Sequence, residues 1–234
     1  MKGSVTLELL STFSLLQPLT PEHLETLAQS AELLTLNRRQ MLYEAGQPGD
    51  AVYFLFEGRL QGIDFTLDGR EVGLFFVDPK SFCGELPLFD QGNHSESVIA
   101  IVQSRVVRIP TERLRTIIFS NSATLQDACT RVAGRVRALT AQRSLLAIPD
   151  IPQRICAQLL LLCGGVEAES TGLSITNPPT HQELAIMLNT SRETVTRVMQ
   201  RLQSGEVCRK DETHLLEILQ PDRLRLIAQG EEKL

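Results

Sequence analysis

Between Thr180 and Leu202 the chain reads THQELAIMLNTSRETVTRVMQRL, and the chemistry of this stretch lies in Arg192, Glu193 and Arg197. A guanidinium can donate two parallel hydrogen bonds to O6 and N7 of guanine, and a carboxylate can accept from the amino group of cytosine. At 3.6 residues per turn the three side chains fall at roughly 0°, 100° and 140° around a helix, one broad face near its N-terminus. That is the part of a helix that reaches base edges in the major groove. A plainer reading stays open. The same face could simply be solvated, and Glu193 could close a capping box with Thr190.

Such a helix must be held by a partner. Leu184, Ala185 and Leu188 place small and apolar groups on one face of a short preceding helix, and Val195, Val198 and Leu202 give the second helix an inward stripe. Asn189 stands where the chain must turn, and Asn tolerates the left-handed conformation that Gly usually supplies. Thr190 or Ser191 can cap the second helix. The expectation is a helix-turn-helix.

The block SRETVTR resembles the recognition helix of the CRP/FNR superfamily of bacterial transcription regulators, in particular its cyclic-AMP receptor protein-like members. In that pattern an Arg-Glu pair and an Arg four residues after the Glu read a TGTGA half-site. Arg192, Glu193 and Arg197 match all three positions. The resemblance implies a site close to TGTGA-N6-TCACA, bound by a homodimer. It also places Ser191, Thr194, His181 and Gln182 where family members touch DNA phosphates, with His181 standing for a more usual Arg.

Composition is compatible with this reading. The 234 residues suffice for one large or two modest domains, and 42% are hydrophobic. No run of about 18 apolar residues occurs, and the N-terminus lacks a basic region followed by an apolar one, so a cytoplasmic protein without a membrane partner is expected. Five cysteines at 83, 129, 156, 163 and 208 form no CxxC, which argues against a zinc site or a disulfide framework. The net charge of -5 argues against a general nucleic-acid binder, whose affinity comes from phosphate neutralisation. Locally the balance reverses: five basic residues (Arg192, Arg197, Arg201, Arg209, Lys210) face three acidic ones (Glu183, Glu193, Glu206) between Thr180 and Lys210. Weak binding to random DNA and strong salt dependence follow.

Upstream, PEHLETLAQSAELL reads as helical, and short apolar runs punctuated by Gly from about Leu34 to Pro110 read as a small antiparallel barrel or roll. GQPGDAVYFLFEGRL and FCGELPLF, with Gly46, Gly49, Gly58 and Gly84 at turns, resemble the cyclic-nucleotide-binding roll of the same superfamily. Leu125, Cys129, Val132, Val136, Leu139, Arg143 and Leu146 then recur at spacings of four and three, a heptad seam suited to a dimer. The stripe could instead pack on its own roll, but a palindromic site calls for two-fold symmetry. Pro149 and Pro152 are expected to stop this helix and form a hinge. IPQRICAQLLLLC reads as a buried helix, and LSIT and LLEIL as strands of a small wing. The expected fold class is α+β: an effector or sensor β-roll (jelly roll) over 1–120, a long dimerisation helix over 121–148, and a winged helix-turn-helix over 149–234.

The effector site departs from the family pattern. A cyclic-nucleotide cassette follows its Gly-Glu-Leu block, here Gly84, Glu85 and Leu86, with an Arg-Ser pair that holds the cyclic phosphate. Counting along the chain puts Ser95 and Glu96 there. This removes a bidentate anion clamp and sets a carboxylate beside the phosphate. Of the helix positions that face adenine in the family, Leu139 and Thr140, only Thr140 keeps a hydroxyl. Cyclic AMP is therefore not expected as a ligand, no cofactor is expected, and another small-molecule effector, or none, is. Arg135 stands where family helices turn an Arg toward the cassette; it can pair with Glu85 or bind an anionic metabolite, as in the related regulators that sense 2-oxoglutarate.

No cysteine cluster suits an iron-sulfur sensor, and His23 and His94 read as isolated surface residues rather than haem ligands. Cys83 reads as a small buried residue rather than a redox thiol. No nucleophile elbow, P-loop or carboxylate pair suggests an enzyme. Two alternatives remain: a cyclic-nucleotide-responsive regulator with unusual phosphate contacts, and a sensing module that acts through protein contacts alone. RNA polymerase is an expected partner, with the Glu167–Gly172 loop as its contact by family position.

Overall fold

A computed structural model describes residues 5–65, 69, 71–164, 173–211 and 215–234. By its internal contacts the chain separates into two units, Met1–Val136 and Arg137–Leu234, with the boundary inside a helix.

The first unit is a roll of two antiparallel four-stranded sheets. Strands β1 (Glu32–Leu36), β2 (Met41–Tyr43), β3 (Ala51–Glu57), β4 (Leu60–Phe65), β5 (Glu71–Val77), β6 (Phe82–Cys83), β7 (Ser97–Ala100) and β8 (Ser104–Pro110) order as β1-β8-β3-β6 and β2-β7-β4-β5. The period of two in β3 decides where each face goes. Ala51, Tyr53 and Leu55 point into the roll with Leu60, Val98, Ala100 and Val106. Val52 and Phe54 point the other way, under helices α1 (Leu7–Ser11), α2 (Pro21–Ser30) and α4 (Thr111–Ser120). Both faces of β3 are buried, so its sequence shows no alternation of apolar and polar residues. A short helix, α3 (Pro87–Asp90), follows the Gly-Glu-Leu block.

PEHLETLAQSAELL is not all helix. It ends at Ser30, and Glu32, Leu33 and Leu34 pair with Arg108, Val107 and Val106 in β1. A β-bridge partner on β8 outweighs the local helical pattern there.

Helix α5 (Ser122–Leu146) carries the heptad stripe. Its first turns belong to the roll: Ala128 lies in the outer core, and Leu125 packs against it. Leu125 is half-buried there and has packing partners within its own roll. Further along, Cys129, Val136, Leu139, Arg143 and Leu146 are exposed and Val132 is half-buried. Val136 is 59% exposed and Leu139 40%.

The second unit holds the rest of α5, α6 (Ile151–Leu162), a three-stranded sheet β10-β11-β9 (Cys208–Lys210, Leu215–Ile218, Ser174–Thr176), α7 (His181–Met187), α8 (Arg192–Ser204) and α9 (Pro221–Gln229). Pro152 does not stop a helix. It occupies the first turn of α6, where a missing N–H costs nothing, and Asp150 caps that turn by accepting the Gln153 N–H at 2.9 Å. Between α7 and α8, Asn189 adopts φ 48°, the left-handed conformation. Asn189→Gly should leave thermal stability nearly unchanged, whereas Asn189→Val should cost about 1–2 kcal/mol from the clash of a branched Cβ in that region. Equal melting temperatures for the two variants would contradict this account of the turn.

Candidate functional site

The recognition helix α8 is set by burial on one side. Val195, Val198, Met199 and Leu202 are buried, as are Leu184, Ala185, Met187 and Leu188 on the α7 side of the turn. Arg154 ties the turn to the segment before α6 through three bonds to backbone carbonyls, one to Leu188 and two to Ile148. Arg154 of α6 donates from Nη1 to the Leu188 carbonyl at 2.8 Å and from Nε to the Ile148 carbonyl at 2.9 Å. Gln142 adds a bond to the Met187 carbonyl at 3.2 Å. Sequence reasoning missed Arg154, because a lone Arg in an apolar helix carries no motif. Its only clue was its place in IPQRICAQLLLLC, where a charge needs a reason to be.

The other side of α8 is left to solvent. Arg192, Glu193 and Arg197 are exposed, and among the described residues no carboxylate forms an ion pair with either arginine. Ser191 is the N-cap: its hydroxyl oxygen accepts the Thr194 N–H at 3.1 Å. The capping box falls on α7 instead, where Thr180 and Glu183 exchange bonds of 3.3 and 2.7 Å. Glu193 is therefore not committed to a box with Thr190. Its own backbone N–H and the Ser191 hydroxyl hold its carboxyl below the usual range, so it is an ionised acceptor at neutral pH.

Of the residues placed at phosphates, Gln182 and Ser191 are exposed, and His181 and Thr194 are half-buried. Thr194 accepts a long bond from Arg197 Nη2 at 3.4 Å. His181 turns toward α8, with Nδ1 2.9 Å from Thr196 Oγ1. On the wing, Lys210 is exposed, and its charge reaches His181.

The roll brings together part of the expected effector pocket. Glu85 is buried and ion-paired with Arg135 of α5, whose guanidinium lies 3.6 Å from the centre of the Phe75 ring. Burial pushes the Glu85 carboxyl up, Arg135 pulls it down, and burial wins. Glu96 is buried as well, and accepts from the Ser95 hydroxyl and from the Tyr43 hydroxyl at 3.4 Å. Gly84 takes φ 77°, and a Cβ there would meet the His94 ring at 3.1 Å. His94 is not a surface residue: it is buried and stacked on Tyr43 with ring centres 3.9 Å apart. Its sequence neighbours are polar, so only the fold reveals the aromatic partner. Burial lowers its pKa below the usual histidine value. Leu86 is half-buried, and Leu139 and Thr140 are exposed residues of α5 beyond the unit boundary. Glu167–Gly172 lies outside the described residues.

The cysteines form no cluster: Cys83, Cys156 and Cys208 are buried, Cys163 is half-buried and Cys129 is exposed. Cys83 is fully enclosed, and burial pushes its thiol up; the same cause takes Cys156 to about 12 and Cys208 to about 11. Among the described residues no group of His, Cys, Asp or Glu could hold a metal ion, and no helix is long and apolar enough to cross a membrane.

A roll joined by one long helix to a winged helix-turn-helix defines a DNA-binding regulator with a sensor-type domain. Comparison with known proteins gives the same answer: residues 33–121 match the cyclic nucleotide-binding domain and residues 153–227 the Crp-like helix-turn-helix domain. The CRP-like cAMP-activated global transcriptional regulator of Mycobacterium tuberculosis is 28% identical over 193 residues, 82% of this chain and 86% of its own. The cAMP-activated global transcriptional regulator CRP of Pasteurella multocida is 29% identical over 166 residues, 70% and 79% of the two chains. Among solved structures, FixK2 from Bradyrhizobium japonicum has a TM-score of 0.70 at 18% identity, covering 84% of this chain and 96% of its own. The Xanthomonas campestris regulator CLP has a TM-score of 0.62 at 24% identity, covering 86% and 99%. These two likenesses speak for the fold. The chain belongs to the CRP/FNR superfamily and is a DNA-binding transcription regulator of that family.

The Glu85–Arg135 pair has a mutational signature. Arg135→Met alone should cost about 3 kcal/mol in urea denaturation, because it strands a buried carboxylate. Glu85→Gln with Arg135→Met should cost less than the two single changes summed. Strict additivity would show that the two side chains do not act as a pair.

Proposed function

We propose that the protein binds, as a homodimer, a two-fold DNA site close to TGTGA-N6-TCACA. Arg192, Glu193 and Arg197 read bases, and Ser191, Thr194, His181 and Gln182 contact flanking phosphates. The observation that carries this reading is the outer face of α8: two arginines and an ionised glutamate, exposed, without ion pairs among the described residues and gathered at the N-terminus of a helix whose other side is buried. That chemistry matches the donor and acceptor pattern of G·C pairs in the major groove.

Dimerisation is supported by the apolar groups that α5 leaves uncovered, Val136, Leu139 and Leu146, with Cys129, Val132 and Arg143 on the same stripe. We assign 1–120 to the sensor roll, 121–148 to the dimer helix and 149–234 to DNA binding. The dimer would set its two recognition helices about 34 Å apart, one turn of DNA. Regulation would follow from recruiting or blocking RNA polymerase in the cytoplasm.

Cyclic AMP is not, in this reading, the effector. The relatives named above are cAMP-activated by their names. Here the place of the phosphate clamp holds Ser95 and a buried Glu96 carboxylate, and a like charge repels a cyclic phosphate. The protein then acts without an effector or with a different small molecule, one for which Gly84, Glu85, Leu86 and Arg135 are the nearest polar and backbone groups.

Two measurements test the reading. Arg192→Ala should weaken binding to the site by about 1–3 kcal/mol and relax preference at one guanine, read by competition among single-base variants. An unchanged preference would refute the assignment. Val136→Asp combined with Leu139→Asp should give monomers in analytical ultracentrifugation; a dimer of wild-type stability would refute the seam.

A further inference from the structure

His181 stands in α7 and faces α8, where its Nδ1 lies 2.9 Å from Thr196 Oγ1. The Thr196 hydroxyl already has a use for its proton: it donates to the Arg192 carbonyl, one turn back, at 2.9 Å. A hydroxyl has one proton and two lone pairs. The bond between the two side chains must therefore run from the imidazole N–H to the threonine oxygen. A neutral imidazole has a single N–H, so its Nε2 is left as a bare acceptor. Phosphate oxygens are acceptors too, and the neutral ring has nothing to donate to them.

We propose that His181 is a protonation-dependent phosphate contact: on taking up a proton it keeps its bond to Thr196, gains an Nε2–H donor and a positive charge, and so tightens DNA binding as pH falls. This rests on the assignment of His181 to a phosphate. The charged groups facing the ring are Arg192 on α8 and Lys210 on β10; Glu183, on the same helix, is engaged with Thr180. Burial first, then the Lys210 and Arg192 charges, holds the ring below the usual histidine value, so the free protein carries it neutral at neutral pH. A bound phosphate reverses the local sign and favours the imidazolium. The ring's pKa is thus higher in the complex than in the free protein. The added affinity is complete below the free value and is lost as pH rises through the value in the complex. An Arg at this position, the family's more usual choice, would hold its charge at every pH in that range.

The test is fluorescence anisotropy of the full chain on a labelled TGTGA-N6-TCACA duplex from about pH 8 to about pH 6 at fixed ionic strength. The wild type should tighten by about tenfold, with two such rings per dimer. His181→Arg and His181→Gln should be flat across the range. Thr196→Val frees the imidazole proton to sit on Nε2, so it should bind more tightly than wild type at about pH 8 and show a smaller slope. A flat wild type, a slope that survives in His181→Gln, or a wild-type slope in Thr196→Val would overturn the proposal. Failure to prefer this duplex over a scrambled one at any pH would instead overturn the assignment of the DNA site itself, and the proposal with it.

Discussion

Everything this protein does at DNA depends on one packing constraint. Val195, Val198 and Leu202 must leave water, and Leu184, Ala185 and Leu188 across the Asn189 turn are buried with them. Burying that stripe rotates the helix so that Arg192, Glu193 and Arg197 can only face outward. This orientation is not arranged by ion pairs to these three side chains, which have none among the described residues. It is arranged by the hydrophobic free energy on the opposite side of the helix, about 1.5–3 kcal/mol for each large side chain enclosed. The Arg154 bonds to Leu188 and Ile148 then fix the turn, and so the helix start, from behind.

The roll follows the same logic with a different outcome. Its two apolar cores, one between the sheets and one beneath α1, α2 and α4, leave little room for charge, yet Glu85 and Glu96 are both inside. Buried carboxylates persist only when donors reach them. Arg135 does this for Glu85, and the Tyr43 and Ser95 hydroxyls do it for Glu96. The result is a polar centre that supplies its own counter-charge from α5. Each of the two carboxyls thus has a donor from within the roll or from α5.

Much of this was legible in the chain. The helix-turn-helix could be read because its signals are local: an apolar period of three and four, an Asn at the turn, a hydroxyl at the cap. The roll could be read through its glycines and its Gly-Glu-Leu block. What escaped has a common cause, which is dependence on a partner distant in sequence. His94 looks like a surface residue until Tyr43 is placed against it. Glu32 to Leu34 look helical until β8 supplies a ladder. Leu125 fits a heptad as well as its neighbours do, and only the fold shows that it also packs on the outer core. The proton on His181 is settled by Thr196, fifteen residues on, and by the carbonyl that Thr196 already serves.

The measurement that bears most directly on the account is the affinity of ligand-free protein for TGTGA-N6-TCACA, by fluorescence anisotropy, repeated with saturating cyclic AMP. Tight binding that the nucleotide leaves unchanged is the result expected on the proposed reading, in which α8 needs no effector and Glu96 stands at the phosphate-clamp position. Binding that appears only with cyclic AMP would contradict the account, because the roll would then be holding the nucleotide despite the carboxylate beside its phosphate.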